Sequence, residues 1–113
     1  MTLVLIVDDD PVVLLAAANL AAVLGHDVVT AKDVTTALAL LGAGGLLCDH
    51  AVLDHDLPDG TGSEVAEVLA RTQPNTRVIM HTSRSLLASP YGVDHLVRKA
   101  PGLGPLMDAL AAA

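Results

Sequence analysis

Short aliphatic runs that end abruptly in polar residues constrain the fold of this chain most. Residues 3–7 form an unbroken run of β-branched and aliphatic side chains followed by three aspartates, and residues 51–53 form another that ends in Asp54. Such runs are typical of strands buried on both faces of a parallel sheet. On the same grounds, three further strands are predicted over residues 27–31, 77–81 and 95–98.

The segments between these strands carry signals for helices. Asp10 can cap a helix whose first position suits Pro11, and Gly25 can end it. Strands that alternate with helices predict an α/β domain with a parallel sheet, helices on both faces and right-handed crossovers. Helices are predicted over residues 11–24, from a cap at 33 to about 41, over 63–71, and after Pro105.

The composition favours one globular domain over residues 1–113, which we expect to stand alone. Of the 113 residues, 52% are hydrophobic and only 17% are charged, so the chain can bury a core. A single cysteine, Cys48, and the absence of a leader-like start favour the cytoplasm. No uninterrupted apolar run is long enough to predict a membrane span.

The charge balance argues against nucleic acid as a partner. The formal net charge is −7, and the six Lys and Arg residues are scattered rather than clustered. The only aromatic residue is Tyr91, so no platform for stacking bases is predicted. Cations or basic protein surfaces are better expected partners.

The carboxyl ends of the predicted strands bring together acidic side chains. Ligand sites of open parallel sheets lie at this edge, where Asp8, Asp9 and Asp54 would converge. Two such charges about 4 Å apart repel by roughly 4 kcal/mol at an effective dielectric of 20, so a proton or a hard cation such as Mg²⁺ is required. With Lys99 and the hydroxyl of Thr82 at neighbouring strand ends, such a carboxylate can attack a phosphoryl group.

These ordered motifs resemble the receiver domains of two-component response regulators over essentially the whole chain. The acidic group at residues 8–10, the Asp54 strand with Pro58 and Gly62, Thr82 and Lys99 follow the family's order. The resemblance implies a flavodoxin-like, CheY-like (βα)5 fold with strand order 2-1-3-4-5. The short segment between Thr82 and Lys99 and the late glycines and prolines predict shortened fourth and fifth helices.

The resemblance also implies the role of each site residue. Asp54 would take a phosphoryl group from a histidine kinase or phosphotransfer protein, and the domain would signal through protein contacts. Asp9 would bind Mg²⁺ directly, Asp8 mostly through water, and Asp54 and the backbone carbonyl of Asp56 would complete the protein ligands. No turnover of an external substrate is expected beyond phosphotransfer and autodephosphorylation.

The remaining implied roles concern the response to phosphorylation. Thr82 would bond the new phosphoryl group as the switch hydroxyl, and Lys99 would pair with it. Asp56 and Arg84, each two positions beyond a central residue, would tune its lifetime. From their opposite charges we predict an ion pair between them across the mouth of the site.

Two other functions are weighed against this one. A degenerate receiver would keep the fold but act as a phosphorylation-independent interaction module, in line with Leu96 in place of an aromatic switch residue and Ala100 after Lys99. A phosphatase of the haloacid dehalogenase type is suggested by the Asp-His-Asp sequence from Asp54 to Asp56, but that superfamily places its nucleophile on the first strand of a larger domain.

Two surface questions stay open in the sequence. The uncharged segment 11–24 either contacts the kinase, as the corresponding helix does in the family, or is a mildly apolar surface. The oligomeric state is not predicted, and a homodimer is compatible with the sequence. The five histidines have no metal-ligand spacing and are expected at the surface or in loops.

Overall fold

Seven strands and four helices make up the part of the chain that the computed structural model describes, which is residues 2–42, 45–84 and 89–111. The strands are β1 (Leu3–Val7), β2 (Asp27–Ala31), β3 (His50–Leu53), β4 (Asp56–Leu57), β5 (Gly60–Thr61), β6 (Arg77–Thr82) and β7 (His95–Arg98). The helices are α1 (Pro11–Val23), α2 (Val34–Leu41), α3 (Gly62–Thr72) and α4 (Gly104–Ala111).

The five longer strands form one parallel sheet in the order β2-β1-β3-β6-β7. This is the predicted order 2-1-3-4-5, because β4 and β5 form a separate antiparallel pair. In the central register, Val7 lies opposite Leu53 and Leu53 lies opposite Met80. The ends of β1, β3 and β6 therefore lie side by side, which confirms the predicted fold class.

Each face of the sheet is covered by two helices, as the unbroken aliphatic strands require. On one face, side chains such as Leu5 and Leu53 pack with α2 and α3, and on the other, side chains such as Ile6 and Val52 pack with α1 and α4. Burial of apolar area contributes roughly 25 cal/mol per Å² to stability. Packing on both faces thus fixes the sheet between the two helix layers and sets where its strands end.

Helix α1 begins and ends where its sequence signals lie. The Asp10 carboxylate accepts a hydrogen bond from the Val12 amide at 2.9 Å, and Pro11 occupies the first helical position. The helix ends one residue earlier than predicted, and Gly25 follows with a φ of +92°, which favours glycine because it lacks a Cβ atom.

The structure departs from the sequence expectations at the start of α3 and in the loop before it. Helix α3 begins at Gly62, one residue early, and the loop before it contains the β4–β5 pair, whose two-residue strands are too short to show periodicity. The predicted fourth helix falls partly on residues 85–88, which lie outside the described residues; its neighbours 83–84 and 89–94 are bends, turns and irregular chain. The last helix, α4, is short as predicted, with 8 residues, but it begins at Gly104, just before Pro105 rather than after it.

The expectation for the histidines is wrong for two of them. His50 and His81 are buried within β3 and β6. The strands that contain them are covered on both faces, so a histidine there is enclosed whichever way it points.

None of the helices described is both long enough and apolar enough to cross a membrane.

Candidate functional site

The candidate site lies where the carboxyl ends of four parallel strands meet. Backbone hydrogen bonds continue the sheet ladder into the site residues: the amide of Asp54 donates to the Val7 carbonyl at 2.8 Å, and the amide of Lys99 donates to the Thr82 carbonyl at 2.8 Å. Asp8 is held in the same way by a 3.1 Å bond to Ala31. The backbone of the sheet therefore sets the position of each side chain.

Lys99 bridges the two buried carboxylates. Its Nζ atom lies 2.9 Å from Oδ2 of Asp8 and 3.2 Å from Oδ2 of Asp54. Asp8 is only 3% exposed and Asp54 only 7%. The other oxygen of Asp8 accepts the Asp10 amide at 2.9 Å, so this carboxylate is fixed on both sides. The lysine reaches the site although Ala100 follows it.

The three aspartates converge as the sequence predicts. One carboxylate oxygen from each of Asp8, Asp9 and Asp54 lies within 4.8 Å of the other two. Carboxylate oxygens are the ligands that Mg²⁺ prefers, and Mg²⁺ commonly uses one or two of them while it keeps several waters. Asp9 is exposed, so its side of the cluster is open to solvent. The donor set therefore fits a hydrated magnesium ion.

The environment of the site shifts the protonation equilibria of its central pair. Burial, and next the negative charge of Asp8, raise the pKa of Asp54, and the nearby Lys99 ammonium offsets part of this effect. Burial alone would lower the pKa of Lys99, but its bonds and charge interactions with Asp8 and Asp54 outweigh burial and raise it. The ammonium is therefore held in its charged form next to Asp54.

Thr82 ends β6, the strand beside Asp54. The residue is fully buried, and its Oγ1 accepts a hydrogen bond from the Arg84 amide at 3.1 Å. This bond holds the turn that leaves β6. The hydroxyl can still donate its own hydrogen, because the described contact uses it only as an acceptor.

The predicted ion pair between Arg84 and Asp56 is present. The guanidinium donates from Nη2 to Oδ1 of Asp56 at 2.9 Å and from Nε to Oδ2 at 3.2 Å, and both side chains are about half exposed. Nδ1 of His55 lies 3.2 Å from the same Oδ1. Hydrogen bonds from Arg84, and next from His55, lower the pKa of Asp56. This fork-shaped contact joins the loop after β3 to the turn after β6.

Gly62 permits close packing against the residue at the centre of the site. A Cβ atom at this position would lie 2.1 Å from the backbone oxygen of Asp54, far inside van der Waals contact. The Gly62 amide donates to the His55 carbonyl at 3.0 Å, which closes the loop. The start of α3 is thereby pressed against the end of β3.

Sequence reasoning missed two residues around the site. His81 is buried on β6, next to the position opposite Leu53, and the charge of Lys99 contributes after burial to lowering its pKa. Its position within an otherwise aliphatic predicted strand could have indicated that it is buried. Asp59 binds the first turn of α2, a contact between segments about 25 positions apart that no local pattern could reveal.

The sequence of this chain matches a known family. The model of the response regulator receiver domain family matches residues 4–101. The chain belongs to this family. It is therefore a receiver domain of two-component signalling, a class of phosphoacceptor domains. No curated protein matches the sequence.

Solved receiver structures share the fold of this domain. A CheY-like receiver domain protein from Methanospirillum hungatei is 25% identical, with a TM-score of 0.89 over 99% of this chain and 92% of that one. TrrA of Thermotoga maritima, solved with Mg²⁺ and BeF, is 23% identical, with a TM-score of 0.84 over 99% and 98% of the chains. TrrA was also solved in complex with the histidine kinase ThkA, with a TM-score of 0.83, 23% identity and coverage of 99% and 97%.

Proposed function

We propose that this receiver domain accepts a phosphoryl group on the carboxylate of Asp54 from a phosphohistidine of a histidine kinase or phosphotransfer protein. An oxygen of Asp54 forms a bond to phosphorus as the phosphorus–nitrogen bond of the donor breaks. The bonding electron pair stays on the imidazole nitrogen of the donor, and Asp54 becomes an acyl phosphate. The observation that carries this proposal is the Lys99 ammonium between the Asp8 and Asp54 carboxylates.

Asp8, Asp9, Asp54 and the backbone carbonyl of Asp56 would hold Mg²⁺ in this site. When bound, the ion supplies positive charge next to the incoming phosphoryl oxygens. The clustering of three carboxylates supports this ligand set. Without a cation, Lys99 is the positive charge that the buried pair contacts in the described structure.

Lys99 and Thr82 are suited to stabilise the transferred group. The ammonium already contacts Asp54, so it can pair with phosphoryl oxygens attached there, which is electrostatic stabilisation by a preorganised group. Thr82 lies at the end of the neighbouring strand and can donate its hydroxyl hydrogen to a phosphoryl oxygen. That bond would couple the phosphoryl group to the turn that Arg84 anchors.

Helix α1 is the surface we assign to the kinase. The helix carries no charged side chain. Val12 and Leu15, in its first half, are 75% and 64% exposed, and the helix begins directly after the acidic residues that follow β1. Exposed apolar patches mark interaction surfaces. The complex of TrrA with the kinase ThkA, a protein of the same fold, supports kinase docking in this class.

The experiment that tests the function is phosphorylation by acetyl phosphate with Mg²⁺, followed by intact mass. The wild-type domain is expected to gain the mass of one phosphoryl group, and Asp54→Asn is expected to gain none. Asp27→Asn, which changes an exposed carboxylate at the opposite end of the sheet, is the matched control and should react like wild type.

A wild-type domain that gains no mass and shows no NMR shift with beryllofluoride and Mg²⁺ would contradict the proposal. That result would favour the degenerate receiver, which binds partners without phosphorylation. Labelling of Asp54→Asn would instead show that another residue is the acceptor.

A further inference from the structure

The loop beyond Asp54 is fastened to a helix that takes no part in the site. Asp59 lies in the turn between β4 and β5, and its Oδ1 accepts the Val34 amide at 2.8 Å. Its Oδ2 accepts the Thr35 amide at 2.9 Å and the Thr35 hydroxyl at 2.6 Å. One carboxylate thus receives three hydrogen bonds from the first turn of α2.

These bonds complete the N-terminus of α2. The first amides of a helix have no partner within it and must be satisfied from outside. Asp33, the local cap, accepts only the Thr36 amide, at 2.7 Å. Asp59 satisfies the two amides that Asp33 leaves, and its negative charge is favourable at the positive end of the helix. The helix therefore depends on a residue of the loop at residues 55–61, which follows Asp54 and precedes α3 and which we call the acceptor loop.

The same short loop is fastened to the site at its other end. Asp59 follows Asp56 by three positions within the β4–β5 pair, where Asp56 lies opposite Thr61. Asp56 is bound by Arg84, and Gly62 closes the loop against His55. Because the loop between these contacts is so short, a change that fixes or releases Asp56 alters the freedom of Asp59.

We propose that Asp59 is a positioning residue that couples occupancy of the Asp54 site to the first turn of α2. An ion or phosphoryl group that orders the loop at Asp56 stabilises the Asp59 contacts with Val34 and Thr35. By thermodynamic reciprocity, loss of those contacts weakens binding at the site to the same degree. This inference rests on the proposed function, because it assigns Mg²⁺ to the Asp54 site.

The test compares Asp59→Ala with Asp33→Ala. Each variant removes one negative charge and one cap from the same helical turn, but only Asp59 belongs to the acceptor loop. Mg²⁺ affinity is measured by NMR titration, and hydrogen exchange of the Val34 and Thr35 amides is measured with and without Mg²⁺. The second readout isolates coupling, since a purely structural cap would give the same exchange in both conditions.

We expect Asp59→Ala to weaken Mg²⁺ binding at least about five-fold, the lower end of typical coupling between sites. Asp33→Ala should change it less than about two-fold on the same scale. Mg²⁺ should slow exchange of the Val34 and Thr35 amides in wild type and Asp33→Ala, but not in Asp59→Ala. If Asp59→Ala does not fold, Thr35→Val removes one donor and no charge, and an intermediate loss of affinity is expected.

Two results would overturn the inference alone: Mg²⁺ affinity of Asp59→Ala equal to that of wild type, or equal losses in Asp59→Ala and Asp33→Ala. A wild-type domain that binds no Mg²⁺ would overturn the proposed function and this inference together. The two kinds of failure are therefore distinguishable.

Discussion

At the residue scale, Asp54 is placed where its negative charge opposes folding. Burial and the Asp8 charge raise its pKa above the unfolded value, so the folded protein binds this proton more tightly than the unfolded chain does. The charged carboxylate is therefore destabilising at neutral pH, and the penalty disappears as the pH falls through the folded-state pKa. The carboxylate that we propose as the phosphoryl acceptor therefore lowers the stability of the fold when it is charged.

At neutral pH without Mg²⁺, we expect the free energy of unfolding of Asp54→Asn to be higher than that of wild type. The gain comes from relief of the burial of a charge and of the repulsion by Asp8, less the lost attraction to Lys99; the repulsion alone is about 4 kcal/mol for two unit charges 4 Å apart at an effective dielectric of 20. Urea unfolding measures it, with Asp27→Asn as the control for net charge. The gain should shrink as the pH falls, and a gain independent of pH would contradict this explanation.

The Arg84 contact with Asp56 predicts a change in phosphoryl lifetime. The pair spans the mouth of the site, so we expect Arg84→Ala to admit water and to speed dephosphorylation by roughly two- to five-fold, the scale of an exposed ion pair. Decay of the acyl phosphate is followed by intact mass. Arg71→Ala, an exposed arginine in the last turn of α3, should decay like wild type. An unchanged rate in Arg84→Ala would show that the pair does not control the lifetime.

Gly62 predicts a packing defect at the acceptor itself. Gly62→Ala places a methyl group against the Asp54 carbonyl, so we expect a loss of about 1–3 kcal/mol in unfolding free energy, typical of overpacking, and slower phosphorylation. Gly102→Ala adds the same methyl group where no atom lies within 4 Å and is the matched control. Equal stability of the two variants in urea unfolding would mean that the loop shifts without cost.

At the element scale, the sequence predicts what local patterns encode. The bounds of β1, β2 and β7 agree with prediction because uninterrupted aliphatic or alternating runs end in polar residues, and α1 agrees because Asp10 and Pro11 mark its start. Prediction fails where a contact joins distant segments. The Asp59 cap of α2 and the approach of Gly62 to Asp54 depend on how elements pack, and neither leaves a signal in neighbouring residues.

The exposed face of α1 predicts a split between two phosphoryl donors. The phosphoryl donor in this test is a phosphorylated histidine kinase that labels the wild-type domain. We expect Leu15→Glu to slow transfer from this kinase by at least about five-fold, the loss typical of an interface residue worth 1 kcal/mol. Transfer from acetyl phosphate should be unchanged, since this donor needs no docking. Val23→Glu, exposed at the far end of the same helix, is the control and should keep both rates. Loss of both reactions in Leu15→Glu would indicate a folding defect instead.

At the scale of the whole molecule, the carboxyl end of the sheet holds the predicted acidic cluster, and the amino end holds a buried histidine that the sequence placed at the surface. His50 is buried at the start of β3, its Nδ1 has no hydrogen-bond partner among the described residues, and its ring packs edge-on against His26. Burial, then the charges of His26 and Arg77, lower its pKa, and Asp49 offsets them in part. The fold thus disfavours the charged form of this imidazole.

This arrangement predicts a defined dependence of stability on pH. The pKa of His50 is lower in the folded than in the unfolded protein, so the unfolded chain binds the proton first, and stability is lost as the pH falls below about 6.5, the unfolded value. Because raised carboxyl pKa values such as that of Asp54 act in the opposite direction, the variant-minus-wild-type difference is the quantity to measure. As the pH is lowered from 7 to 5, we expect the unfolding free energy of His50→Gln to rise relative to that of wild type. The slope is at most about 1.4 kcal/mol per pH unit, the limit for one proton. His95→Gln, at the exposed start of β7, serves as the control. If the difference between His50→Gln and wild type does not change across this pH range, the folded protein does not lower the pKa of the His50 imidazole.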